Sequence, residues 1–208
     1  MDMRIAKDDI KPKARSHPPG RTKIMNALRF LLEEKEFSAI TWADIARTAG
    51  VNEGLIYKYF KDKRNLLHQI LKEYLEDYVE RLKFDLKGIE GAINKIRKLI
   101  WTTINLYGSN RVFAKILLLE VRNFPGYFQS ETYHLVQDYA KIILEIIDEG
   151  IRRSEIRDDI PPKQLRQIIL GSIEHLCLPC VIFNKEIDPD VFTENLCKIL
   201  LERIKNQG

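Results

Sequence analysis

Residues 41–63 read TWADIARTAGVNEGLIYKYFKDK, and the fold turns on what this stretch can do. Thr41 can cap a short helix, with Asp44 three residues on as its capping-box partner, so that two N–H groups at the helix start are satisfied. Ile45, Ala46 and Ala49 fall on one face of that helix, and Gly50 stands where the chain must leave it sharply with positive φ. Asn52 is a good cap for a second helix, Glu53 to Tyr59. Val51, Leu55 or Ile56, and Phe60 can close over the first helix as a small core. Glu53, Gly54, Tyr57 and Lys58 are then left facing solvent. A helix pair with one polar, aromatic and basic face suits the major groove of DNA.

The flanks extend this unit. From Thr22 to about Lys35, Ile24, Ala27, Leu28 and Leu31 recur at helical spacing, which predicts a third helix packed on the pair. Residues 1–20 carry no such periodicity and read as a flexible basic arm, with KPKARSHPPG at 11–20. Its charges, Arg4, Lys7, Lys11, Lys13, Arg15 and the adjoining Arg21, either reach a minor groove or contact nothing specific. After Phe60, Asp62 can cap a long helix with apolar pairs Leu66/Leu67, Ile70/Leu71, Tyr74/Leu75 and Tyr78/Val79, ending near Leu86 before Gly88 and Gly91. It would span about 35 Å at 1.5 Å per residue. Helical patterns continue at 90–108, 111–122 and 130–153, with Gly150 near the end of the last; Pro162 opens another through Phe183, and Asp188 with Pro189 starts the final one. The fold class is all-α with about nine helices, without repeats, divided as the arm 1–20, a helix-turn-helix domain 21–67, and a second helical domain 68–208.

Composition agrees with a globular chain, 45% of its 208 residues being hydrophobic. By this reading no apolar run reaches the roughly 18 to 20 residues needed to cross a membrane, and the N-terminus lacks the apolar core of a signal peptide. A cytoplasmic protein without membrane contact is expected. Residues 1–68 hold 14 Lys or Arg against 9 Asp or Glu, and the rest is nearly balanced, so the positive excess surrounds the helix pair. That is the footprint of phosphate binding, although any helical surface carries some charge. Three cysteines argue against a disulfide framework. His175, Cys177 and Cys180 lie within one turn or two of a helical pattern, without the preceding strand of a redox motif or a local fourth metal ligand, and the cysteines read as small core residues. No metal or cofactor is expected. Neither is catalysis, since no nucleophile set, phosphate loop or paired carboxylates stand out.

The pattern Thr41, Ile45-Ala46, Ala49-Gly50-Val51, Gly54, Tyr57, Tyr59-Phe60, Lys63 and Leu66-Leu67 resembles the DNA-binding signature of the TetR/AcrR transcriptional regulators, over roughly residues 22–70. The resemblance implies a homodimer on a palindromic operator, usually as a repressor, with residues 52–59 in the major groove. It implies phosphate contacts from Thr41, Trp42, Tyr57, Tyr59 and Lys63, and base reading from Ala43, Glu53, Leu55 and Lys58, with the Gly54 backbone close to the DNA. Glu53 departs from the family pattern: a carboxylate facing DNA costs affinity unless it accepts from cytosine N4, and it can instead stabilise the helix N-terminus. The resemblance also implies that helices 4 to 7 enclose a small-molecule pocket, for which Trp101, Ile104, Phe113, Leu117, Glu120, Phe124, Phe128 and Tyr133 are the expected lining. Glu120 needs a partner if buried, either a ligand or Arg111 or Arg122. The last two helices would pair across the dimer, Gly171 and Ser172 permitting close approach. An apolar pocket suits a hydrophobic effector such as a fatty acyl derivative or a drug-like compound. The alternative is a helical protein-interaction adaptor in which the face from Tyr57 to Lys63 is incidental.

Overall fold

The computed structural model describes residues 17–205. Among them run α1 (Pro19–Glu34), α2 (Trp42–Ala49), α3 (Glu53–Tyr59), α4 (Lys63–Leu86), α5 (Ala92–Ser109), α6 (Arg111–Lys115), α7 (Glu131–Arg152), α8 (Pro162–Ile182) and α9 (Pro189–Ile204). The described residues contain no strand; one isolated bridge joins Ile156 to Lys205. They form two compact units, 17–83 with 111–143 and 84–110 with 144–205.

In the first unit, α1 packs on α2, α3 and α6 through a face that buries Ile24, Leu28, Leu31 and Leu32. It begins earlier than the apolar periodicity predicts, because Pro19 pre-sets the φ of a first helical turn. Gly20 and Arg21 therefore belong to the helix and not to an arm. A Cβ on Gly20 would lie 2.9 Å from Leu55 Cδ2, so the glycine lets α3 come close. Arg21 donates to Gln69 of α4 at 3.1 Å and lies 5.6 Å from the centroid of the Phe60 ring. The other arm charges, Arg4, Lys7, Lys11, Lys13 and Arg15, lie outside the described residues. The buried Glu73 of α4 accepts from Arg29 at 2.6 Å and pairs with His17 at 2.8 Å, so α1 is held to α4 by charge as well as by apolar contact.

The helix predicted over 111–122 is divided. After Lys115 the chain widens into a π turn, Ile116–Glu120, closed by Val121 N–H on the Ile116 carbonyl at 3.2 Å. A short 3-10 turn, Pro125–Gln129, then leads to α7, whose first turn is closed by Ser130 Oγ accepting from Tyr133 N–H at 3.2 Å.

The second unit packs α5 against α8 and α9. Gly150, near the end of α7 as expected, is buried, and an added Cβ there would lie 2.6 Å from both Ala92 Cβ and Ile156 Cδ1. Helix α8 buries Leu165, Ile169, Ile173, Cys177 and Val181 along one stripe, with Pro179 inside its last turn. Its other face exposes Ile168, Leu176 and Ile182. Apolar residues on both faces make α8 long and apolar enough to cross a membrane, with mean hydropathy 1.4, which corrects the expectation that no stretch qualifies. Lys163, Arg166 and Glu174 nevertheless interrupt it.

Candidate DNA interface and effector site

The helix pair forms as its capping chemistry dictates. Thr41 Oγ1 accepts from Asp44 N–H at 3.1 Å while Asp44 Oδ2 accepts from Thr41 N–H at 3.1 Å, a complete capping box. The Thr41 N–H and hydroxyl hold the Asp44 carboxyl below its ordinary range, aided by Lys35 and Arg47. Gly50 ends α2 in the left-handed region at φ 64°, and Asn52 Oδ1 accepts from Leu55 N–H at 2.8 Å to start α3. Each of these bonds satisfies a helix-terminal group that would otherwise need water, so two helices of 8 and 7 residues are fixed at a defined angle.

Ile56 of α3 and Phe60 just beyond it are buried, and this fixes which face looks out. Thr41, Ala43, Glu53, Gly54, Tyr57 and Lys58 are exposed, and Trp42, Leu55 and Tyr59 are partly buried. Tyr57, 56% exposed, stands edge-on to Trp42 with ring centroids 5.7 Å apart, and Lys58 Nζ lies 5.9 Å from the centroid of the Tyr59 ring. Glu53 occupies the first turn of α3, where the helix dipole favours a carboxylate. Lys63 points elsewhere: its Nζ donates to the Phe37 and Ile40 carbonyls at 2.8 and 2.5 Å and rests 4.6 Å from the centroid of the Phe37 ring. It ties the start of α4 to the turn before α2. Burial lowers its pKa, partly offset by the charge of Glu120.

Of the expected pocket residues, Trp101 and Ile104 lie in the second unit. Ile104 is fully buried, and the Trp101 indole donates to Asp190 at 2.7 Å. In the first unit, Phe113 is buried edge-on against Tyr74, and Leu117 is buried beside it in sequence. Phe128 and Tyr133 join the buried Tyr127 in a three-ring cluster with centroids 5.2 to 5.4 Å apart. Phe124, 39% exposed, lies under the Arg64 guanidinium at 4.8 Å. Glu120 ends the π turn. Burial raises its pKa, Glu36 adds to this, and Arg64, Lys115 and Lys63 oppose it. These three, and not Arg111 or Arg122, are the cations that act on it.

The roles of two residues had no signal in the sequence. His68 stacks on Tyr127 with centroids 6.0 Å apart and hydrogen-bonds Thr132 at 3.2 Å, and Lys72 pairs with Glu131 at 2.6 Å. Both join α4 to the start of α7 across about 60 residues of chain, so no local pattern encodes them. No group of three or more potential metal-ligating side chains occurs among the described residues.

Residues 24–70 match the family described as bacterial regulatory proteins, tetR family, and residues 71–202 match the C-terminal region of YsiA-like proteins, a second tetR-type description that alone spans more than half of the chain. The chain belongs to the TetR family. This regulator is 26% identical over 189 residues to the fatty acid metabolism regulator protein of Bacillus subtilis, covering 91% of its own length and 97% of the relative's. Its fold matches the crystal structure of FadR from Bacillus subtilis in complex with stearoyl-CoA, with a TM-score of 0.79, 26% identity, and 88% and 98% of the two chains covered. The fatty acid degradation regulator FadR from Bacillus halodurans shares the fold, with a TM-score of 0.80 at 19% identity over 90% and 97% of the chains. The protein is thus a DNA-binding transcriptional regulator, and the relatives named here are regulators and not enzymes.

Proposed function

We propose that this regulator represses transcription by binding a palindromic operator as a homodimer, and that a long-chain acyl-CoA releases it. The observation that carries the effector is the similarity to the Bacillus subtilis fatty acid regulator along nearly the whole of both chains, since the crystal structure of FadR from that organism contains stearoyl-CoA. For the DNA side, the reading places α3 in the major groove. Thr41, Trp42, Tyr57, Tyr59 and Lys63 hold phosphates, and Ala43, Glu53, Leu55 and Lys58 face bases beside the Gly54 backbone. Lys63, already spent on two carbonyls, would serve a phosphate with its remaining N–H.

The homodimer is assigned to α8 and α9. Ile168, Leu176, Ile182, Val191 and Ile199 are each between 41 and 67% exposed, and no atom lies within 4 Å of a Cβ built on Gly171. A stable interface of roughly 800 Å² per partner needs an apolar face of this kind. Acting on DNA, the dimer would work in the cytoplasm. The effector's acyl chain is assigned to an apolar site in the first unit drawn from Phe113, Leu117, Glu120, Phe124, Phe128 and Tyr133, and the ligand must favour the released state by several kcal/mol to be decisive.

A mobility-shift titration on the DNA upstream of the protein's own gene, with and without stearoyl-CoA, tests this reading. Binding that stearoyl-CoA abolishes supports it. A folded dimer that ignores the DNA at low salt overturns the operator, and DNA binding unchanged by acyl-CoA overturns the effector.

A further inference from the structure

A cavity of about 470 Å³ lies in the first unit, between the opening turns of α4 and residues 124–132. Arg64, His68 and Lys72 recur every four residues and so share one face of α4, which lines it. Opposite stand Ser130, Glu131 and Thr132, where α7 begins, a helix of 22 residues whose N-terminal end carries the partial positive charge of its dipole. Phe124 forms part of the same wall, 39% exposed and held by the Arg64 guanidinium at 4.8 Å. Glu131 already sets an anion against this surface. Its carboxylate sits 2.6 Å from Lys72 Nζ yet its side chain remains 76% exposed, so it can be displaced at little cost.

The combination is chemically specific. Two fixed cations and a helix N-terminus suit phosphate oxygens, an exposed ring suits a purine face, and the volume falls in the range of small-molecule sites. A fatty acid has neither a phosphate nor a base, so an acyl chain alone would leave this groove unused.

We propose that the groove seats the phosphorylated nucleotide end of an acyl-CoA, with Arg64 and Lys72 on its phosphates and Phe124 against its adenine. The assignment rests on the acyl-CoA reading above and names where the polar half of that effector is held. Binding there exchanges the Glu131 carboxylate for a phosphate on Lys72. Because Arg64 and Lys72 both belong to α4, the ligand acts directly on the helix that follows the DNA-binding pair.

The test is calorimetric titration of the wild-type protein, Lys72→Gln and Glu131→Gln with stearoyl-CoA, coenzyme A and stearate, alongside anisotropy titrations with the upstream DNA. The expected results are that Lys72→Gln weakens coenzyme A and stearoyl-CoA by about tenfold, the worth of one charge-assisted hydrogen bond, and leaves stearate and DNA unchanged. Glu131→Gln, which removes the competing anion, tightens both CoA ligands severalfold. That gain would not arise if the Lys72 pair served only to hold α4 to α7. If Lys72→Gln fails to fold, Glu131→Gln decides the matter alone. Unchanged CoA affinity in the variants, with the wild type binding stearoyl-CoA, overturns the groove and leaves the effector reading standing. A loss confined to DNA assigns these cations to the operator backbone and overturns it as well. A wild type that binds stearate but no CoA ligand removes the acyl-CoA reading, and the groove assignment falls with it.

Discussion

Replacing Tyr57 by Phe isolates a single hydroxyl on the surface proposed to face DNA. The ring stays, and with it the edge-on contact to Trp42 at 5.7 Å, so the shape of the α2–α3 pair is preserved. Tyr57 is 56% exposed, which puts it among surface positions where a substitution changes stability by no more than about 0.5 kcal/mol. Against DNA the account differs, because a hydrogen bond to a charged phosphate is worth about 1.5 to 3 kcal/mol. Each protomer should therefore lose roughly ten- to a hundredfold in affinity. The hydroxyl is neutral, so the dependence of log K on log salt should not change, whereas Lys58→Ala should reduce that slope by about 0.9 per protomer if Lys58 neutralises a phosphate and by less if it reads a base. Fluorescence anisotropy at several salt concentrations measures both quantities on the same DNA, with thermal unfolding run in parallel. Affinity equal to wild type at matched salt, with the melting curve unchanged, would refute the placement of Tyr57 against the backbone.

Thr41→Ala removes one half of the α2 capping box and should cost about 1 kcal/mol, a fall in Tm of about 2 to 4 °C, with weaker DNA binding because an 8-residue helix depends on its cap. The folded-state pKa of Asp44 is lowered, so its contribution is present above the unfolded value near 3.8 and lost as pH falls; urea titrations across that range should show a smaller acid loss in Thr41→Ala than in the wild type. Gly150→Ala gains about 1 kcal/mol of helix propensity but sets a methyl 2.6 Å from Ala92 Cβ and Ile156 Cδ1, so a net loss of about 1 to 2 kcal/mol is expected, partly recovered by adding Ile156→Val; a rise in Tm for the single variant would contradict that packing. Glu120 titrates above its ordinary range, so the protonated form suits the fold, and its contribution is present below the unfolded value near 4.5 and fades as pH rises through the higher folded value. Glu120→Gln should then be more stable than the wild type at neutral pH, with the gap closing toward pH 4. A destabilised variant at pH 7 would mean that Lys63, Arg64 and Lys115 outweigh the burial of the carboxylate.

The helix pair and its exposed face were largely legible because their determinants are local. Thr41 with Asp44, Gly50, and Asn52 with Leu55 each act over three or four residues, and the alternation of buried Ile56 and Phe60 with exposed Tyr57 and Lys58 follows from helical period alone. The remaining helices were less so. Apolar periodicity located them but could not separate a ligand wall from ordinary core, and Phe113 against Tyr74 or Trp101 on Asp190 are contacts between distant segments. The division of 111–122 into α6 and a π turn was hidden for a related reason, since α and π hydrogen bonding place apolar residues on nearly the same face.

The sequence by itself determined the caps, the left-handed exit at Gly50, the helix order and the concentration of positive charge near the N-terminal helices, because each depends on residues within a turn or two of one another. Only the tertiary structure decided where long side chains end and which helices touch. Lys63 turns onto the Phe37 and Ile40 carbonyls, Gly150 marks a close approach of α7 to Ala92, and Arg64 and Lys72 line a cavity with Phe124 and the start of α7. A flexible side chain is directed by the charges and surfaces around it, and here these are supplied by segments 23 to 60 residues away.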